Sequence, residues 1–193
     1  MDFNNFSEEN FDHLDFTKFP FTKGDYNNCN FNGCNFEYVD LSEISFNDCV
    51  FDNCNLSMSK IIKTAFREVT FKDCKMFGLH FSDCNTFGLH FSFEDCNLNN
   101  STFYGTNIRK TSFRNCKLTE VDFEESNLTE SQLLNCDLSG AIFSNTNLEK
   151  SDFRSSVNYS INPANNRLKK AKFSLSEVSG LLLDYDLIID QHS

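Results

Sequence analysis

The sequence predicts an all-β fold: a quadrilateral parallel β-helix of about eight stacked coils, closed by a C-terminal cap containing a short helix. Three observations carry this reading. A large apolar residue returns at every fifth position, a small residue stands two places before it, and like residues line up at a spacing of 20. A period of five fits neither the three- and four-residue spacing of an amphipathic helix nor the alternation of a strand. It fits a chain that runs straight briefly, turns a corner and repeats.

The elements follow in order within one domain, residues 1–193. Residues 1–25 place Phe6, Phe11, Phe16 and Phe21 on the repeat but put Glu9, Leu14 and Phe19 where a small residue belongs, so this stretch reads as an irregular first coil or end cap. Residues 26–91 form the first repeat block, with a lapse at Thr86. A two-residue register slip follows at 92–93, read as a bulge or widened corner because two residues make a poor loop. Residues 93–153 form the second block. Phe31, Phe51, Phe71 and Phe91 make one column at a spacing of 20, Phe103, Phe123 and Phe143 another, and Leu98, Leu118 and Leu138 a third. Four pentads therefore complete a coil, and strands stacked about 4.8 Å apart give a rod of roughly 40 Å.

All nine cysteines fall at the small position: Cys29, Cys34, Cys49, Cys54, Cys74, Cys84, Cys96, Cys116 and Cys136. The spacing of Cys29 to Cys34 could suggest zinc or iron–sulfur ligands. A ligand or disulfide framework has no reason to obey the repeat; a narrow interior has. Stacked cysteines would also point parallel rather than toward each other. His80 and His90 lie two sides of the square apart and cannot pair. No metal or cofactor is expected. Asparagines and aspartates before each centre, such as Asn35, Asp40, Asn55 and Asp137, are corner residues that bond local backbone.

Residues 154–193 form the cap. Asn162-Pro163 and Asn165-Asn166 read as a turn, Ser174 or Ser176 as the cap of a helix over SEVSGLLL, and Leu187, Ile188 and Ile189 as a strand. With Leu181, Leu182, Leu183 and Tyr185 they are too apolar to leave wet, so they are expected to be covered, as a dimer interface or by a cap folded back on a single rod.

The chain is acidic, with formal charge −11 and pI near 4.7. That argues against direct nucleic-acid binding. The start of the chain shows no export signal, and no stretch approaches a membrane span, so a cytoplasmic protein with reduced thiols is expected. A P-loop, a nucleophile elbow and HExxH are all missing from the sequence, and a filled interior leaves no pocket for a small-molecule substrate. An enzyme is not expected. A partner must be read on the outward residues, where Asp48, Asp52, Glu68, Glu120, Asp122, Glu124 and Glu125 make the surface patchily negative.

Pentads such as CNLNN, SNLTE, CDLSG and TNLEK match the pattern A(D/N)LXX, so the chain resembles the pentapeptide-repeat proteins. The resemblance implies a right-handed coil. The C-terminal segment is similar to the caps of the Qnr-like bacterial branch, which implies an end-to-end homodimer. It also implies binding to DNA gyrase and topoisomerase IV by an acidic rod mimicking duplex DNA, with protection from quinolones or toxins as the consequence. The alternative is a repeat scaffold for another protein partner.

Overall fold

A computed structural model describes residues 4–189. It contains two parallel sheets wound by one coil. The first face stacks β1 (Asn4–Ser7), β3 (Gly24–Asn27), β5 (Ser45–Asn47) and β7 (Ala65–Arg67). The second face stacks β2 (Asn10–Asp12), β4 (Asn30–Asn32), β6 (Val50–Asp52), β8 (Val69–Lys72), β9 (Phe91–Glu94), β10 (Ser112–Arg114) and β11 (Gln132–Leu134). Single bridges carry this ladder on through Asp152 to Lys172. The third and fourth faces are built from single bridges, such as Asn35 to Asn55 and Asp122 to Ile142. Pairing runs at a spacing of 20, as in Phe31 with Phe51.

The corners explain why the chain can turn every five residues. The residue two places after most centres has positive φ, as at Tyr38 (58°), Asn53 (51°), Gly78 (66°) and Glu120 (56°); Lys18, Asp83 and Ser155 are exceptions. At many corners the next small residue donates to the centre's carbonyl, as Ser59 does to Leu56 at 3.1 Å. This is the type II pattern, which favours Gly or Asn at the left-handed position. Other residues cost about 1–3 kcal/mol there. The same residue's N–H supplies an inter-coil bond, Tyr38 to the Ser57 carbonyl at 3.1 Å and Glu120 to Ser139 at 2.8 Å, which offsets that cost.

Side chains of the centres fill the axis. In the second-face column Phe11, Phe31, Phe51 and Phe71 stack at 4.8, 4.6 and 5.1 Å. The fourth-face column continues as Phe81, Phe103, Phe123 and Phe143 at 4.5, 5.3 and 5.2 Å. Neighbouring columns meet edge-on, as Phe103 does Phe113 at 87°, so each ring uses both favourable aromatic geometries.

The register slip lies earlier than the sequence suggests. Phe71 pairs with Phe93, and Phe91 pairs with Val69, so Phe91 occupies a small position and leaves the column assigned to it. Asn85 still donates to the Thr64 carbonyl in the old register, His90 donates to Phe66 one residue out of step, and Val69 donates to His90 in the new register. The two extra residues are thus taken up within 86–90, on the first face, which forms no strand there. Thr86 is exposed, so the first-face column loses its core residue, and fully buried Phe91 packs against Phe81 and Phe103 instead. The apolar pattern conceals this because Phe91 and Phe93 both look like centres.

Both ends also depart from expectation. Residues 4–15 form a regular first coil, with Phe6 opposite Tyr26 and Asp15 bridged to Asn35; the irregular part is 17–23. At the other end the expected helix is two 3₁₀ turns, Val178–Leu181 and Leu183–Tyr185. Neither Ser174 nor Ser176 caps them; their hydroxyls lie 3.1 Å from each other. Gly180 explains the tight course: its carbonyl accepts from Ile161 at 2.9 Å, and a Cβ there would collide with the Tyr159 carbonyl. Residues 187–189 form no strand, and Ile188 is fully exposed. The ends of the expected caps, residues 1–3 and 190–193, lie outside the described residues.

Candidate protein-interaction surface

The asparagines and aspartates before the centres are used structurally. Asn35, Asp40, Asn55 and Asp137 each accept, through Oδ1, the N–H two residues on, at 3.0–3.1 Å. Asn10 with Asn30 and Asn27 with Asn47 form amide ladders between coils at 3.0 Å. These hydrogen bonds also hold the carboxyl of Asp137 below the usual carboxylate range, with the Asn158 amide the largest contributor. Similar local bonding and Lys60 and Lys23 depress Asp40.

All nine cysteines are buried and free. Cys34, Cys54, Cys74, Cys96, Cys116 and Cys136 occupy successive coils beside the third-face column, above Ser156. Burial pushes the Cys49 thiol up to about 12 and Cys84 higher still. Among the described residues, no group of His, Cys, Asp and Glu is arranged to hold a metal ion. His80 stands on the fourth face, bridged to Thr102, whereas His90 Nδ1 lies 3.0 Å from Glu68 at the corner between the first two faces.

The predicted acidic residues do not form one surface. Asp48 and Glu68 sit at the corner between the first and second faces, and Asp52 at the corner after the second. Glu120, Asp122, Glu124 and Glu125 share one coil and surround the fourth face. Asp122 accepts from the Glu124 N–H at 2.8 Å and from Thr102 at 3.2 Å, while Glu120 accepts from Asn100 at 2.6 Å. Half-exposed Tyr104 stands over this coil, and its hydroxyl is pushed up by a hydrogen bond to Glu125 and by the charges of Glu124 and Asp122.

Sequence reasoning missed an apolar strip along the same side of the rod. Tyr38 and Met58 project at the corner leading into the fourth face, with Phe77 beside them and Ile62 across it. Met58, Ile62, His80 and Asp83 line a shallow groove of about 280 Å³. The signal was present in the letters after the centres, which are mostly polar. In the cap, Leu183, Tyr185, Leu187, Ile188 and Ile189 are exposed; Leu181 and Leu182 are half-buried, and Leu181 packs on the core. No helix among the described residues is long and apolar enough to cross a membrane.

The architecture agrees with known proteins. A search of curated proteins returns no match. Among solved structures, a trypsin-treated variant of QnrB1, a plasmid-mediated fluoroquinolone resistance protein, is 16% identical; the match covers 97% of this chain and 92% of that one, with a TM-score of 0.77. Full-length QnrB1 is 17% identical over 95% of this chain and 100% of its own, with a TM-score of 0.60. At such identity the likeness is one of fold. The family model for the pentapeptide repeat region matches residues 24–103, 89–161 and 106–183, and the chain accordingly belongs to the pentapeptide-repeat family.

Proposed function

We propose that this protein is a non-enzymatic interaction rod that binds DNA gyrase or topoisomerase IV and modulates them or protects them from quinolones or toxins. The observation that supports this most is the likeness over nearly the whole rod, cap included, to a fluoroquinolone resistance protein. The filled axis supports a surface function, because its side chains leave no interior room for a substrate. The coil bearing Glu120, Asp122, Glu124 and Glu125 is the part suited to a basic partner, with the apolar strip from Tyr38 to Phe77 beside it on the same side. The exposed cap residues Leu183, Leu187 and Ile188 support a homodimer through the C-terminal end, in a cytoplasmic setting that keeps the thiols reduced. The alternative, a scaffold for a different protein partner, shares the same surface. A gyrase supercoiling assay, titrating the protein with and without ciprofloxacin, separates the two. Inhibition or relief from the drug is expected; neither effect at micromolar protein would leave only the scaffold.

A further inference from the structure

The seven-stranded second face is electrically polar along the rod. Its flanking corners carry Glu8, Asp12, Asp48, Asp52, Glu68 and Asp95 over the first coils, against Arg67 and Lys72. Over the last coils the same two corners carry Arg109, Lys110, Arg114, Lys150, Arg154 and Lys170. Of the acids there, Glu130 lies between Lys110 at 3.9 Å and Lys150 at 2.7 Å, and Asp152 between Arg154 at 2.7 Å and Lys172 at 3.7 Å; Glu149 makes no ion pair among the described residues but is matched at the same corner by Lys169 one coil on. A chain of net charge −11 thus presents a positive half-face.

The change of sign falls at the inserted residues. There Phe87 stands at the corner between the first two faces, 78% exposed, with the Arg67 guanidinium 5.9 Å from its ring. Between the corners the face is flat and mostly short and polar, with Asn10, Asn30, Thr70, Ser92, Ser112 and Gln132 outward.

We infer that this face takes a second copy of the chain, laid antiparallel upon it about a two-fold axis through the coil that carries Phe87. That operation places the acidic half of each copy on the basic half of the other. Glu68 then meets the coil of Lys110, the coil of Glu8 meets that of Lys170, and the two Phe87 rings meet near the axis. A parallel, in-register copy would set like charge on like. A staggered parallel copy would satisfy the charges but never close. A long polyanion running along the face would meet the acidic half. The contact is small, polar and wet, which places it in the weak, salt-sensitive class. It is independent of the apolar end contact at the cap and of any topoisomerase.

The test is sedimentation equilibrium of the full chain in about 0.05 M and about 0.5 M salt, where the Debye lengths are roughly 14 and 4 Å. Self-association that weakens at least about tenfold in high salt is expected. Lys110→Glu with Lys170→Glu should abolish it, as should Glu8→Lys with Glu68→Lys, and mixing the two reversed proteins should restore association between them. All four positions are exposed or at corners, and circular dichroism checks that the variants fold. Phe87→Ala should weaken the wild-type contact. Association indifferent to salt and to both reversals would belong to the cap and overturn the proposal. So would a wild-type protein that stays single while its basic half retards duplex DNA.

Discussion

The coils before the insertion and those after it are built from the same pentad but turn their corners differently. Before it, the first and second faces are both strands and their columns are aromatic: Phe6, Tyr26, Phe46 and Phe66 beside Phe11, Phe31, Phe51 and Phe71. After it, only the second face keeps strands, and the first-face column becomes Ile108, Leu128 and Leu148. The small residues change with the corner. Within one column, Cys29 and Cys49 follow strands, whereas Thr111, Ser131 and Ser151 follow turns. At a turn, the small residue's N–H bonds the preceding centre, as Ser151 does Leu148 at 3.1 Å; the Ser151 hydroxyl reaches the same carbonyl at 2.6 Å, whereas that of Ser131 reaches Ile108 one coil back at 3.0 Å. After a strand that bond is not made. The Cys34 N–H instead meets the Cys54 sulfur at 3.4 Å, and the Cys54 thiol spans the carbonyls of Phe31 and Asp52 at 3.3 Å each. A hydroxyl can span the same pair, as Thr146 does to Phe123 at 2.9 Å and Ser144 at 3.2 Å, so what the sulfur adds is volume and low polarity. Cys84, after the 3₁₀ turn at Phe81–Asp83, and Val69, after β7, show that the preference is not absolute.

The largest test of this contrast is truncation of the columns. Phe51→Ala removes a ring stacked between Phe31 and Phe71 and should cost about 3–5 kcal/mol, whereas Leu118→Ala in the later coils should sit toward the lower part of about 2–5 kcal/mol. Urea unfolding of both variants checks this. Equal losses would mean that aromatic stacking adds nothing specific to the first coils. A smaller effect is expected from straightening the register. Deleting Phe87 and Gly88 restores the spacing of 20 but leaves Thr86 as a centre and Phe91 at a small position, at about 1–3 kcal/mol. Adding Thr86→Phe and Phe91→Cys should recover the loss. A deletion that is neutral by itself would show that Phe91 is not compensating for a missing centre.

Much of this was legible in the sequence because a solenoid writes its geometry as a period. Column identity, four-sidedness and the burial of every cysteine follow from residue size at fixed spacing. What was not legible depends on backbone detail that side-chain size does not encode. Phe91 and Phe93 are equally apolar, so only the pairing with Val69 and Phe71 reveals which is the centre. Strand and turn corners share one pattern, and the cap is shaped by a single close approach at Gly180 that no periodicity signals. The acidic letters were visible, but their division between two corners and the fourth face required the register after the insertion.

The cysteine rule supplies the next test. Cys54→Ser, after a strand, should cost about 1–3 kcal/mol because a smaller and more polar group replaces a buried thiol that contacts two carbonyls and the Cys34 N–H, while Cys84→Ser, after a turn whose N–H already bonds Phe81 at 3.2 Å, should cost less. Thermal unfolding of the two variants decides it, and a reversed order would mean that volume rather than the corner selects cysteine. In the native wild type none of the nine thiols should react rapidly with a disulfide reagent, and all should react after denaturation.

The smallest effect is electrostatic and compares the two ends of the rod. In the first coil the Lys18 ammonium and the Thr17 hydroxyl hold Asp15 down to about 2. In the later coils the Arg154 guanidinium holds Asp152 low, and Asn158 and Ser139 hold Asp137 low. Each folded value lies below the unfolded one, so the charged carboxylate favours the folded state above the ordinary aspartate range. That contribution is lost as pH falls from about 4 toward about 2, when the folded protein must also take up protons. Asp15 is exposed and its pair is screened, so Asp15→Asn should change stability little at either pH. Asp152 is nearly buried between two cations, and Asp152→Asn should remove about 1 kcal/mol at pH 7 and flatten the acid limb of the stability curve. Chemical denaturation across pH reads both. Equal flattening by the two variants would mean that burial beside the basic half-face gives Asp152 no advantage over an exposed pair.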